Sequence, residues 1–354
     1  MSADTRLDSA IKLSICIPTY NFGDYLGETL ESILPQVDES VEVVVLDGGS
    51  TDDTPAVARA LQARYPALRY HRREQRGGID RDMALTVELA RGEYCWLFCG
   101  DDVMKPGAIA QMLAQLRSGI DVYLCGLTIC TCEMQPLHEH PILDLPSGTT
   151  LELAREQDWR LYFERARSTT AFFSFLGSVV CRKALWESVE LDERFVGTYW
   201  GHVARMFAIL PSGLRLRYLA EPYLLKRADN DSFMTDGLVR RFAVTIDGFE
   251  RLADTFFGHE SFEAHHIRRS VAAEFPLYTV LYGKWACGVS REDRALMERL
   301  VRTVYAEPSP RNQLYRAVYA RTPIFTMRTA ADRIMRLARA LASLRPSSAP
   351  AMYD

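Results

Sequence analysis

Between residues 11 and 130 the chain switches repeatedly between two hydrophobic periods. The run LSICIP (13–18) reads as a short β-rich strand ended by Pro18, and VEVVVLD (41–47), almost all β-branched, predicts a strand buried on both faces. Other segments carry apolar residues at helical spacing: Leu26, Leu30 and Ile33 in YLGETLESILPQ, and Val57 and Leu61 in TPAVARALQARYP. LRYHRRE (68–74) reads as a weaker strand, and DRDMALTVELARGEY (80–94) as a helix with Met83, Val87 and Ala90 on one face. YCWLFC (94–99), PGAIAQMLAQLRSG (106–119) and IDVYLCGLTIC (120–130) continue the alternation as strand, helix and strand. This order predicts an α/β fold, a mostly parallel sheet with helices on both faces. In such sheets ligands bind where the strands end.

From Pro141 the alternation gives way to mixed pieces, and from Phe233 almost everything reads helical. The expected organisation is an α/β domain over residues 1–230 and a helical region over 231–354. Near its end, residues 326–345 place Met327, Ala331, Ile334, Ala338 and Leu341 on one helical face and Arg328, Arg333, Arg336 and Arg339 opposite. Eight arginines and one acid, Asp332, fall between Arg311 and Arg345. A basic amphipathic helix of this kind suits a membrane surface, the other reading being a solvated helix packed on the core.

Charge and cysteine usage narrow the partners. The 354 residues carry 42 basic and 46 acidic side chains, a net charge of −4, which gives no general electrostatic reason to bind nucleic acid. No apolar run is long enough to cross a membrane. The amino terminus MSADTRLDSAIKL has no basic start followed by an apolar run, and the eight cysteines lie mostly in apolar surroundings, so a reduced, cytoplasmic protein is expected. Cys130, Cys132, His138 and His140 are spaced unlike the usual zinc patterns.

Four motifs fall at the predicted carboxyl ends of successive strands: PTYN (18–21), LDGGSTDDT (46–54), RGGIDRD (76–82) and CGDD (99–102). Singly, each is an ordinary turn, cap or loop. Together they outline one cleft. Asp47 at a strand tip can accept from a nucleobase or ribose hydroxyl, Gly77 and Gly78 permit close backbone approach, and Asp101 with Asp102 can bind a hard divalent cation whose shell phosphate oxygens complete.

The order and spacing of these motifs, together with ARGEY (90–94), resemble the nucleotide-binding half of family-2 glycosyltransferases of the GT-A fold over about residues 11–120. The resemblance implies a nucleotide-sugar donor held by Pro18, Thr19, Tyr20, Asn21, Asp47, Gly49, Gly78, Arg81, Asp82 and Asp101, with Mg²⁺ or Mn²⁺ on Asp101 and Asp102. Cys99 stands where the family's D-x-D motif has its first aspartate, and which of the two aspartates ligates the metal stays open. Asp82, Met83 and Ala84 replace a common A-R-N, leaving Arg81 as a substitute contact. Residues 121–230 would then form the acceptor half. The family's Glu-Asp pair, which supplies the catalytic base, aligns with Gly201 and His202 in LDERFVGTYWGHVARM. His202 is the expected base, titrating near neutrality, with Asp192 or Glu193 as substitutes and a capping or core histidine as the other reading.

GGIDRD, ARGEYCWLF and FFSFLGSVVCRKALW (172–186) look most like the abequosyltransferase-type branch. That implies transfer, with inversion, to a bacterial surface glycan such as O-antigen, carried on a polyprenyl diphosphate at the inner face of the plasma membrane. Three other readings compete. A sugar-phosphate nucleotidyltransferase would need a Gly-rich basic loop that PTYNFGDYLGET lacks, and a dinucleotide dehydrogenase a G-x-G-x-x-G after Pro18. A non-catalytic nucleotide- or glycan-binding protein is compatible with Cys99 and the missing Glu-Asp pair.

Overall fold

The two β-branched runs lie side by side in the sheet. In the computed structural model, which describes residues 11–116, 119–228, 230, 237–288 and 290–323, β1 (Leu13–Thr19) and β2 (Val41–Asp47) are buried along their whole length. They pair in parallel from Leu13 opposite Val41 to Thr19 opposite Asp47, so two motif residues finish level at the carboxyl edge. The basic segment at 326–345 lies outside the described residues.

Helix α1 (Gly23–Ile33) joins β1 to β2, α2 (Thr54–Arg64) leads to β3 (Leu68–Arg72), and α3 (Ile79–Leu89) leads to β4 (Tyr94–Leu97). β3 extends the sheet beside β2, whereas β4 pairs on the opposite side of β1. The strand order is therefore β3-β2-β1-β4, reversing direction of growth between β1 and β4. That reversal splays the connections apart and opens a crevice above the ends of these two strands. PTYN and CGDD sit at its two sides.

Beyond β4 the sheet becomes mixed. After β5 (Val103–Met104), α4 (Ala108–Leu116) and β6 (Val122–Cys130) come β7 (Pro136–Glu139), β8 (Thr150–Glu152), α5 (Glu156–Arg165) and β9 (Val179–Arg182). β9, from the SVVCR stretch, lies between β4 and β6 and runs antiparallel to both. The simple progression read from periodicity would have set β6 against β4. A later β-branched run takes that place instead, because burial on both faces is satisfied by a neighbour of either direction. α6 (Lys183–Glu187) and α7 (Gly201–Ile209) precede β10 (Arg215–Arg227), which pairs with β6 in parallel and steps its register at Pro222. A proline inside a central strand is tolerated at such an irregularity.

The helical region follows as α8 (Leu238–Phe256), α9 (Phe262–Glu274), α10 (Leu277–Ala286), α11 (Arg291–Val304) and α12 (Pro310–Arg321). Ser261, Ser290 and Ser309 cap α9, α11 and α12 through side-chain oxygens that accept third-residue amides, the usual remedy for unsatisfied first-turn N–H groups. The buried face of α8, with Val239, Phe242, Ile246, Phe249 and Leu252, belongs to the same hydrophobic cluster as the sheet. An aromatic seam makes the join: Trp200 meets Phe249 at 5.0 Å between ring centroids, and Phe207 meets Phe257 at 5.1 Å.

Candidate active site

The first two motifs lock each other. Helix α1 has no side-chain cap of its own, and its orphan amides are met from the β2–α2 loop. Ser50 Oγ accepts from the Asn21 amide at 2.8 Å, Thr54 Oγ1 from Phe22 at 2.9 Å and Asp52 Oδ2 from Gly23 at 2.9 Å. Asn21, held at φ 55°, returns its Oδ1 to the Thr51 amide at 2.8 Å. Side-chain oxygens just before a helix ordinarily cap that helix, here the start of α2. The structure gives most of them to α1. Burial pushes Asp52 up, but hydrogen bonds from Thr54 and the Gly23 amide outweigh it and hold the carboxyl below its ordinary range.

Asp47 is fully buried, and its oxygens are already engaged. Oδ1 accepts from Gly49 and Ser50 amides, Oδ2 from the Tyr70 hydroxyl at 2.6 Å, and Arg72 Nε lies 3.5 Å from Oδ2. It shapes the loop, and a nucleoside would reach it only after displacing one of these partners. Gly49 supports that loop at φ 89°. Asp82 is similarly enclosed. A Cβ on Gly48 would stand 2.6 Å from its Oδ2 and one on Gly77 2.5 Å from its Oδ1. Burial lifts Asp82 above the ordinary carboxylate range against the pull of Arg73, whose Nη1 is 3.2 Å away. Tyr20 is covered by Arg76, with the guanidinium 4.3 Å from the ring centroid. Gly78, at φ 83°, starts α3.

The aspartate pair lies across the crevice. Asp102 is 2% exposed; its Oδ1 accepts from the Arg227 amide at 2.9 Å. Its Oδ2, buried, makes no conventional hydrogen bond to a described residue. Burial, and next the charge of Asp101, push Asp102 up to about 8, opposed by Lys226 and the Arg227 amide. Asp101 accepts from Asn230 Nδ2 at 2.9 Å through Oδ2, while its carbonyl takes Arg227 Nε. One oxygen from each carboxylate and the Cys99 sulfur lie within 4.8 Å of one another. A buried carboxyl oxygen with no conventional hydrogen bond, beside a second carboxylate, fits a hard cation, whose charge would favour the ionised form that burial disfavours. Cys99 is kept a neutral thiol by burial and then by the two aspartates, so the carboxylates are the ligands such an ion would take.

A cavity of about 490 Å³ runs from this pair into the second half of the molecule. Pro18, Asp101, Asp102 and His202 line it, and the helical region contributes Arg241, Phe242 and Glu274. Thr19, Tyr20, Asn21, Asp47, Gly49, Gly78, Arg81 and Asp82 sit outside its lining, on the neighbouring rim built by the first three motifs. Thr19 Oγ1 is buried without a hydrogen-bond partner among the described residues.

His202 opens α7 and is 7% exposed; its Nε2 lies 3.0 Å from the Phe173 carbonyl, which fixes that nitrogen as the donor. Burial pushes its pKa down to about 4, with the backbone of Phe173 and Ser174 offsetting part of the fall. A neutral imidazole that resists a proton is a poor general base, so the environment of His202 weighs against the role expected of it. Asp192 and Glu193 are engaged elsewhere: Asp192 pairs with Arg194, and Glu193 takes a two-pronged contact from Arg81 at 2.6 and 3.0 Å. Arg81 therefore reaches the acceptor half.

Two carboxylates that no sequence motif singles out tie distant segments together. Asp80, in the first turn of α3, accepts from the amides of Gly197, Tyr199 and Gly201, tying the donor half to the start of α7. Glu274 closes α9, and its Oε1 accepts from Thr169 N at 2.6 Å and Thr169 Oγ1 at 2.8 Å. Its partner in the sequence lies 105 positions away, beyond any local signal.

Comparison with known proteins places this geometry. The Glycosyl transferase family 2 model matches residues 14–187. Abequosyltransferase RfbV of Salmonella typhimurium is 32% identical over 294 residues, covering 81% of this chain and 87% of its own. The GalNAc(5)-diNAcBac-PP-undecaprenol beta-1,3-glucosyltransferase of Campylobacter jejuni is 27% identical over 53% of this chain and 58% of its own. Among solved structures, S. aureus TarS 1-349 in complex with UDP-GlcNAc superposes with a TM-score of 0.57 at 16% identity, over 92% of each chain, a likeness of fold. The fold is of the GT-A type, and the chain is a glycosyltransferase that belongs to glycosyl transferase family 2.

Proposed function

We propose that this enzyme moves a sugar from a nucleotide-sugar donor to a hydroxyl of a bacterial surface glycan such as O-antigen, carried on a polyprenyl diphosphate, with the help of Mg²⁺ or Mn²⁺. The observation that supports the reading is the buried Asp102 oxygen that makes no conventional hydrogen bond among the described residues, beside Asp101, at the point where the strand order reverses and the cavity begins. A cation held there would neutralise charge on the departing diphosphate. Arg76 over Tyr20 and the interlocked 18–21 and 47–54 loops form the rim for the nucleoside. Lys226, in the cavity, adds a positive charge on the same side as the aspartates. The relatives' names support the acceptor class: one is an abequosyltransferase, and another acts on an undecaprenol-linked glycan. Among the described residues no helix is long and apolar enough to cross a membrane, and the basic segment at 326–345 would bring the enzyme to the inner face of the plasma membrane.

The deciding assay follows nucleoside diphosphate release from UDP-, GDP-, CDP- and dTDP-linked sugars, with Mg²⁺, Mn²⁺ or chelator, in the presence of a bacterial lipid extract. Metal-dependent release with labelled sugar entering the lipid fraction is expected. Pyrophosphate-dependent nucleotide exchange would mean a nucleotidyltransferase, and nucleotide binding with no release from any donor would mean a binding protein. Removing residues 326–354 should free the enzyme from membranes; unchanged partition would sink the membrane role of that segment.

A further inference from the structure

The glycosyl-transfer reading leaves a proton without a destination. An acceptor hydroxyl must lose it as its oxygen bonds to the anomeric carbon, and a carboxylate or imidazole within reach normally takes it. His202 holds its Nε2–H against a carbonyl, and Asp192 and Glu193 are bound to arginines outside the cavity lining. Among the described residues, the carboxylates that do line the cavity are Asp101, Asp102 and Glu274. The first two are committed to the proposed cation.

We propose that Glu274, delivered by the last residue of α9, is the catalytic base that deprotonates the acceptor hydroxyl. Both of its hydrogen bonds fall on Oε1, from the amide and hydroxyl of Thr169, leaving no hydrogen bond to Oε2 among the described residues. The Thr169–Phe172 turn that grips it is itself braced. Thr169 Oγ1 reaches Ser174 Oγ at 2.9 Å, Thr170 Oγ1 lies 3.1 Å from His140 Nε2, and Phe173 closes the turn at φ 65°. Such bracing keeps the carboxylate where the cavity needs it, a rigidity that positioning for proton transfer demands.

The charges facing Glu274 suit the task. Burial lifts its carboxyl above the ordinary range and makes it a stronger base than a surface glutamate. Lys226 from β10, Arg241 from α8 and the bonds from Thr169 moderate that rise, while His140 and His202 stand behind the turn. In the reaction, the acceptor O–H bond gives its proton to Glu274 while its oxygen forms the new bond to the anomeric carbon. The carbon–oxygen bond to the diphosphate breaks, its electron pair leaves with the nucleoside diphosphate, and Glu274 later releases the proton to water.

This inference rests on the transferase reading, and the experiment separates the two. Glu274→Gln keeps an oxygen for Thr169 but cannot take a proton. With the donor and lipid extract that support wild-type release, kcat should fall about 100-fold or more. Donor affinity and melting temperature should stay at wild-type values. The residual rate should lose the decline that the wild type shows toward acid pH. In Glu274→Ala, added formate should restore turnover, a rescue that a merely structural glutamate would not show. Glu274→Gln turning over within about 3-fold of wild type, or Glu274→Ala staying folded yet indifferent to formate, would overturn the assignment and leave the transferase reading intact. A wild type that releases nothing from any donor would remove both.

Discussion

At the scale of single residues, a buried carboxyl carries a cost that burial and a neighbouring charge set. Asp102 keeps an oxygen with no conventional partner and is pushed up to about 8 by burial and by Asp101. Nothing about folding rewards that arrangement. Asp102→Asn preserves size and an acceptor for the Arg227 amide while removing the charge. If Asp102 holds the proposed cation, this variant should lower metal-supported turnover by about 100-fold or more, since the negative charge that would ligate it is lost. It should also melt no lower than wild type, because a destabilising carboxylate has gone. Paired activity and melting measurements check both halves. His202 makes the opposite contribution to stability. Its pKa is about 4 in the folded chain and near the ordinary 6.5 when unfolded. The unfolded state therefore binds the extra proton between those values, so stability is intact above about pH 6.5 and is lost as pH falls toward 4. The shift corresponds to a loss on the order of 3 kcal/mol. Urea unfolding at about pH 7 and about pH 4.5 should show a larger drop for wild type than for His202→Gln; equal drops would contradict the buried, neutral ring.

Between elements, the seam of α7 and α8 depends on a missing side chain. Trp200 donates its indole N–H to the Val244 carbonyl at 2.7 Å, and a Cβ on Gly248 would stand 2.2 Å from that nitrogen. In an exposed helix, Gly→Ala gains about 1 kcal/mol. Here the methyl would drive the indole off its bond, and overpacking of this kind costs about 1–3 kcal/mol. Gly248→Ala should therefore melt below wild type and blunt the cavity wall that Trp200 forms; a higher melting point would show that the indole can retreat freely. This contact also shows what a sequence can and cannot disclose. The first four strands and their helices were legible because each is a local pattern of period two or 3.6, and the PTYN, GGSTDDT and CGDD motifs because they sit at the ends of those patterns. The direction of β9, the cross-capping of α1 by Ser50 and Asp52, the Asp80 clamp and the Thr169 grip on Glu274 depend on partners 29 to 121 positions apart. Hydrophobic periodicity carries no information about such pairings. His202 was visible as a candidate by alignment with a motif, but its proton affinity is fixed by burial and by a carbonyl from another segment.

At the scale of the whole molecule, the helical region and the sheet share one core. Phe207 from α7 packs on Phe256 and Phe257 from α8, Phe163 from α5 packs on Phe257 and Phe262, and Trp200 packs on Phe249. Each of these rings would lose the neighbours that α8 and α9 supply if those helices were removed, and truncating even one such aromatic costs about 3–5 kcal/mol. Total stabilities of about 5–15 kcal/mol leave no room for losing several. The α/β half should therefore be unable to stand alone, although its motifs form the proposed donor side of the site. On the proposed role of Glu274 the same dependence reaches the site, since Arg241 and Glu274 line the cavity from α8 and α9. Calorimetry of the full chain should show one cooperative transition whose calorimetric and van't Hoff enthalpies agree. A chain ending after residue 236 should be insoluble or molten, with its aromatic seam exposed to a hydrophobic dye. Two separated transitions in the full chain, or a truncated chain that melts cooperatively, would mean that the helices are an independent unit. The acceptor side of the cavity would then be assembled by docking after folding, and donor binding would survive their removal.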